Sequence, residues 1–123
     1  MVKVQRLSKN SKVPKYICKR GIGMNKKIKT EAVDHLFEAI LTLKTPEECY
    51  AFFEDVCTVN ELLSLSQRYE VAKMLREKKT YLDIAERTGA STATISRVNR
   101  SLNYGNDGYD MVFKRLGYHS DEK

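Results

Sequence analysis

The residues best suited to specific chemistry lie on one face of a short helix predicted to begin near residue 91. At about 100° per residue, Ala93, Ser96, Arg97 and Arg100 point to the same side of that helix. Arginine can form two parallel hydrogen bonds with guanine, and serine can hydrogen-bond to base edges or phosphates. Small side chains let a helix lie deep in a groove. We therefore interpret this face as a surface that reads duplex DNA.

The segment 81–100 around this helix fits the template of a helix-turn-helix. Ala85 is small where two helices would cross, and Gly89 stands where the turn requires a positive φ. Three apolar residues are predicted to form the wedge between the helices, namely Ile84, Ile95 and Val98. A helical hairpin buried in a core is the alternative, but the outer face carries no apolar side chain larger than alanine.

The predicted contacts with DNA fall into two sets. Six residues are predicted to read bases: Ser91, Thr92, Ala93, Ser96, Arg97 and Arg100. Six others are predicted to contact phosphates: Lys73, Arg76, Lys78, Lys79, Thr80 and Thr94. For the basic residues that precede the motif, a solvated helix face is the alternative.

The elements that position this motif are all predicted helices. From residue 30 onward, apolar residues recur at helical spacing and indicate six helices, an all-α fold. Three pairs predict capping boxes at helix starts: Thr45 with Glu48, Thr58 with Glu61, and Thr80 with Asp83. Gly105 and Gly108 are predicted to break the chain before a last short helix, which Gly117 ends.

Charge is distributed unevenly along the 123 residues, whose formal net charge is +6. Residues 1–29 hold ten basic residues and no acid, residues 30–61 have a net charge of −7, and residues 62–103 have +4. We predict a flexible basic arm over residues 1–28, a helix-turn-helix domain over 29–118, and a polar tail over 119–123. The arm either holds DNA phosphates or is not native, since Met24 offers a plausible start.

Several classes of protein are not expected. No apolar run approaches the ~20 residues of a membrane span. The three cysteines match no disulfide or zinc spacing, which predicts a reduced, cytoplasmic protein without a metal site. Cys49 and Cys57 are predicted to be small core residues. No nucleophile and base are paired in the sequence, so we do not expect an enzyme.

Residues 58–103 resemble the Trp repressor superfamily. The likeness rests on Arg68 and on three pieces of the motif, Gly89-Ala90, Ala93-Thr94-Ile95 and Arg97. From residue 24 onward the chain is similar to the Trp-repressor-like family called YerC/YecD, through the runs 65–68 and 93–98. The resemblance implies transcriptional regulation by an intertwined homodimer, with two reading heads that face successive major grooves about 34 Å apart.

The resemblance also implies where an effector would bind. It places Arg68 and Arg97 where the Trp repressor holds tryptophan, with Thr58 and Ser101 nearby. However, Val98 stands where that repressor has a glycine that makes room for the ligand. We therefore expect no tryptophan cofactor, and a different effector or none stays open.

Two functions remain open from the sequence. The first is a sequence-specific, DNA-binding transcription regulator, a dimer because the aromatic residues of the first two helices exceed what one chain can cover. These residues are Phe37, Tyr50, Phe52 and Phe53. The second is a helical interaction module whose acidic half, residues 30–61, binds a protein partner.

Overall fold

A computed structural model of the chain describes residues 26–118, and these residues form six α-helices and no strand. The helices are α1 (Glu31–Ile40), α2 (Pro46–Val56), α3 (Val59–Arg76), α4 (Tyr81–Thr88), α5 (Thr92–Tyr104) and α6 (Gly108–Leu116). The predicted all-α fold is therefore confirmed. Residues 1–25 of the predicted arm and the predicted tail, 119–123, lie outside the described residues.

The chain divides into two units between His35 and Leu36. The described part of the first unit is residues 26–35, in which the ammonium of Lys29 lies 2.8 Å from Oδ2 of Asp34. The second unit contains the helix-turn-helix and the helices that pack against it.

The helices begin at the predicted cap residues, but only one of the three predicted capping boxes is complete. Thr58 accepts a hydrogen bond from the amide of Glu61, whose carboxylate in turn accepts from the amide of Thr58. Thr45 caps α2, but Glu48 reaches the amide of Lys44 instead. Thr80 caps α4 through the amide of Asp83. The aspartate is one methylene shorter than the glutamate of a full box, which limits its reach back to the cap.

The core lies around the second half of α3. This helix packs against α2, α4, α5 and α6. The buried residues come from α3, the helix-turn-helix and α6: Val71, Ala72, Met74, Ile84, Ala90, Ile95, Val98, Leu102 and Phe113. The helix-turn-helix is therefore half of the hydrophobic core rather than an appendage to it.

Two predictions about the core and the helix bounds are wrong. Cys49 is exposed and Cys57, just after α2, is only half-buried, and α2 buries none of its residues although it packs against α3. Gly108 does not break the chain but begins α6. The break lies at residues 105–107, where Asp107 adopts a left-handed conformation.

The end of α3 places a lysine in a conformation that favours glycine. The amide of Lys78 donates to Leu75 O, and the amide of Lys79 donates to Met74 O. These two hydrogen bonds form a Schellman motif. Lys78 occupies its left-handed position, with φ of 66°. A non-glycine residue there costs roughly 1–2 kcal/mol.

Lys78→Gly should therefore raise the free energy of unfolding by roughly 0.5–1 kcal/mol, because the conformational cost that it removes exceeds the entropic cost of glycine. Denaturant unfolding followed by circular dichroism measures the change. Lys79→Gly is the matched control, since it removes the same charge at a position without positive φ and should destabilise the protein. Equal effects of the two substitutions would contradict the conformational argument.

Candidate nucleic-acid interface

The turn between α4 and α5 has the backbone that the sequence predicts. Gly89 adopts φ of 76° and ψ of 6°, and its amide donates to Ala85 O at 2.9 Å. A Cβ added at Gly89 would meet only the side-chain amide of Gln67, at 4.0 Å. The left-handed backbone, rather than crowding, is therefore what favours glycine here.

Two side chains that sequence reasoning missed hold this turn in place. Nε2 of Gln67, on α3, donates to Thr88 O at 3.0 Å. The hydroxyl of Thr88 donates to Ile84 O at 2.7 Å and accepts from the amide of Ala90 at 3.1 Å. A threonine one residue before the turn glycine is a local pattern that could have suggested the second contact. The bond from Gln67 joins residues 21 apart and leaves no local pattern.

The inner face of α5 is buried as predicted. Ile95 is fully buried, Val98 is 2% exposed, and Leu102 is also in the core. Ile84 of α4 is fully buried opposite them, and Ala85 packs at the edge of the same cluster. The predicted wedge is confirmed. Because one face of α5 is fixed against α3 and α4, the opposite face is directed to solvent.

All six residues predicted to read bases are exposed: Ser91, Thr92, Ala93, Ser96, Arg97 and Arg100. Ser91 differs from the other five, because its hydroxyl already forms hydrogen bonds within the protein. It accepts from the amide of Thr94 and donates to Oγ1 of Thr94, both at 3.1 Å. We therefore expect Ser91 to position the start of α5 rather than to read a base. The base contacts of the other five stay predictions.

The predicted phosphate contacts lie near the start of α4 and on α3. Lys78 is exposed, Lys79 is half-buried, and both precede Thr80, whose hydroxyl caps α4. The ammonium of Lys73 lies 4.6 Å from the centroid of the Tyr118 ring. Thr94 is half-buried in the first turn of α5. Helix starts present free amides to anions, so this arrangement suits a phosphate, and the contacts themselves stay predictions.

Arg76, one of the predicted phosphate contacts, is hydrogen-bonded within the fold. Its Nε and Nη2 each lie 2.8 Å from a carboxylate oxygen of Asp110 in α6, and Nη2 also donates to Leu102 O at 3.3 Å. These bonds engage Nε and Nη2 and hold the guanidinium against α5 and α6, which leaves only Nη1 for another acceptor. We therefore leave Arg76 out of the proposed DNA contacts. Its partner lies 34 residues away, which is why the sequence does not reveal the pair.

The pair shifts the titration of both groups. The hydrogen bonds with Asp110 raise the pKa of Arg76, and the bonds from Arg76 lower the pKa of Asp110, while burial opposes both shifts. A carboxyl whose pKa is lower in the folded state stabilises the fold at neutral pH. That contribution is lost as the pH falls through the lowered pKa of Asp110.

The four residues proposed for an effector pocket do not line the cavity beside α3, and the pocket stays a prediction. A cavity of about 580 Å³ lies beside α3 and the end of α4, and Gln67, Glu70, Lys73 and Arg87 are among its lining residues. None of Arg68, Arg97, Ser101 and Thr58 lines it. Val98 lies in the core and is 2% exposed. The absence of tryptophan binding stays a prediction.

Among residues 26–118, no three metal-ligating side chains are placed to hold an ion. Within the same range, no helix is long and apolar enough to cross a membrane.

Several large apolar side chains between residues 36 and 65 are exposed. α1 and α2 bury none of their residues. Leu41 is 83% exposed, Tyr50 67% and Val59 73%. Exposed apolar side chains that cluster on a surface are typical of sites where proteins associate.

Comparison with known proteins agrees with this geometry. The family model described as Trp repressor protein matches residues 31–117. The chain is 60% identical over 90 residues to the uncharacterized protein YerC of Bacillus subtilis (strain 168), an alignment that covers 73% of this chain and 86% of that protein.

Two crystal structures are also similar to the chain. A TrpR-like protein from Eubacterium eligens ATCC 27750 is 76% identical with a TM-score of 0.75. A candidate Trp repressor from Staphylococcus aureus is 54% identical with a TM-score of 0.77. Each match covers 80% of this chain and all of the other.

Proposed function

The chain belongs to the family of the Trp repressor protein, and we propose that it is a sequence-specific DNA-binding transcription regulator that acts as a homodimer. The observation that carries the proposal is the division of α5 into two faces. Its inner face is locked into the core, and its outer face presents small and basic side chains to solvent. A recognition helix needs both, because it must be rigid and must enter a groove. The family is one of regulators rather than enzymes, which supports binding as the activity.

The roles within the reading head follow from chemistry and position. Arg97 and Arg100 are the candidates for bidentate contacts with guanine. Ala93 and Ser96 leave room for the helix to approach the bases. Lys78, Lys79 and the start of α4 hold the flanking phosphates. The net charge of +4 over residues 62–103 supports an anionic partner on this side of the domain.

The proposal of a homodimer rests on exposed apolar side chains of the second unit, from Leu36 to Leu65. Side chains such as Leu41, Tyr50 and Val59 would be costly to leave in water at such exposure. A second copy of the chain is the proposed cover, since symmetric dimers are the commonest assemblies of soluble proteins. Two reading heads about 34 Å apart would then bind a palindromic site.

Selection of bound duplexes from a random library, followed by mobility shift at several salt concentrations, tests the proposal. We expect enrichment of a palindromic sequence and an affinity that falls steeply with salt, by a slope of about 0.9 per neutralised phosphate. If Lys78 and Lys79 each neutralise a phosphate in both protomers, replacing either by glutamine should reduce that slope by about 2, one unit per protomer. Glu86→Gln, on the exposed side of α4, is the control: it changes the charge by one in the opposite direction without removing a phosphate contact, and it should leave the slope unchanged. Failure to enrich any sequence would contradict sequence-specific reading.

A further inference from the structure

The contact between Arg76 and Asp110 joins three helices at one point. Arg76 is the last residue of α3, Leu102 lies in the last turn of α5, and Asp110 lies in the first turn of α6. One guanidinium donates to all three acceptor oxygens: the two of the Asp110 carboxylate at 2.8 Å and Leu102 O at 3.3 Å. The paired, parallel hydrogen bonds to the carboxylate fix the orientation of the guanidinium as well as its distance.

The charges of this bridge match the helix ends on which they act. The last turn of α5 contains no basic residue of its own. Carbonyl groups in a last turn lack partners within the helix and carry partial negative charge. Arg76 supplies both the missing donor and the missing positive charge from a different helix. Asp110 likewise places a negative charge in the first turn of α6, whose cap residue, Asp107, makes no side-chain capping bond.

The bridge completes the attachment of the reading helix. The beginning of α5 is held by the turn that Gln67 and Thr88 fix, and its middle is held by Ile95 and Val98 in the core. The C-terminal end is followed at once by the turn at residues 105–107. Arg76, at the end of α3, holds this end of α5 through its hydrogen bond to Leu102 O. Leu102 is two residues after Arg100.

We propose that Arg76 and Asp110 are positioning residues that set the orientation of the reading helix and so control discrimination between DNA sequences. This inference rests on the proposed function, because it assigns a part of the reading mechanism to residues that do not touch DNA. A change in the tilt of α5 moves Arg97 and Arg100 relative to the phosphate contacts at the start of α4. The loss therefore falls on base reading, which depends on geometry, more than on phosphate attraction, which depends on charge.

Asp110→Asn tests the proposal, because the change in charge and the loss of the bridge should alter the affinity for the selected duplex in opposite directions. Removal of a negative charge should strengthen binding to every duplex. Loss of the bridge should weaken binding to the selected duplex relative to a scrambled one. We expect the ratio of the two affinities to fall about fivefold or more. Asp107→Asn removes the same charge three residues earlier, tolerates the left-handed backbone, and should leave that ratio unchanged.

Arg76→Lys provides a second, charge-conserving arm. Lysine keeps the positive charge but cannot form the two parallel bonds. It should leave the affinity for scrambled DNA unchanged and lower the ratio as Asp110→Asn does. In the double variant the ratio of the two affinities should fall no further than in either single variant, because each substitution alone already breaks the bridge between Arg76 and Asp110.

In the free protein, amide hydrogen exchange at residues 101–104 should be faster in Asp110→Asn and in Arg76→Lys than in the unmodified protein. Exchange at the start of α4 should stay unchanged. Ratios and exchange equal to those of Asp107→Asn would overturn the inference while leaving the proposed function intact. If the unmodified protein does not distinguish the two duplexes, the proposed function fails instead.

Discussion

Arg97→Ala and Arg100→Ala should each weaken binding to the selected duplex by about 1–3 kcal/mol per half-site, if each arginine forms a bidentate contact with guanine. Both side chains are exposed on the outer face of α5, and neither has a hydrogen-bonded partner within residues 26–118 that would have to be broken first. The affinity for scrambled duplexes should fall much less, because only one charge per protomer is removed. Mobility shift at a fixed salt concentration measures both affinities.

Arg87→Ala is the matched control for these two variants. Arg87 is an exposed arginine in the last turn of α4, and it lines the cavity beside α3 instead of lying on α5. Its removal costs the same charge and should not alter the preference for the selected sequence. A set of duplexes with single base-pair changes adds a finer readout. Each arginine variant should become indifferent to the base pair that its side chain reads. If both variants retain the full preference, the outer face of α5 is not the reading face.

Ile95→Ala should lower the free energy of unfolding by about 2–5 kcal/mol, because it opens a cavity at a fully buried position. This is a large part of the ~5–15 kcal/mol that usually holds a domain together. Ile95 also forms the wedge that sets α5 against α4, so the variant should lose specific DNA binding at temperatures where it remains largely folded. Denaturant unfolding at constant protein concentration measures the change, since stability of a dimer depends on concentration.

Leu82→Ala is the comparison for Ile95→Ala. It removes a side chain of similar size from the same helix-turn-helix, but Leu82 is 71% exposed. Its effect should be within about 0.5 kcal/mol, as for surface substitutions generally. A similar loss in both variants would mean that Leu82 is buried in the assembly. A negligible loss at Ile95 would refute the packing of the wedge.

The features of this protein that could be predicted from its sequence depend on short distances along the chain. A glycine in the turn, hydroxyl caps three residues before an amide, and apolar residues every three or four positions are all local rules. They predicted the six helices, the left-handed Gly89, the caps at Thr45, Thr58 and Thr80, and the buried wedge of Ile84, Ile95 and Val98. Each of these interactions joins residues that lie only a few positions apart, so the local sequence is enough to predict it.

The packing of the helices settled which groups meet across the fold and which surfaces remain open. Periodicity marked an apolar stripe on α2 but could not say that no helix of the described chain covers Cys49. In the sequence, Arg76 was one of several basic residues that precede the motif. The packing of α3, α5 and α6 turned that arginine into a bridge with Asp110 and Leu102, because charges far apart in sequence pair only where the helices bring them together. The outer face of α5 thus came from the sequence, and the contacts that hold it in place came from the fold.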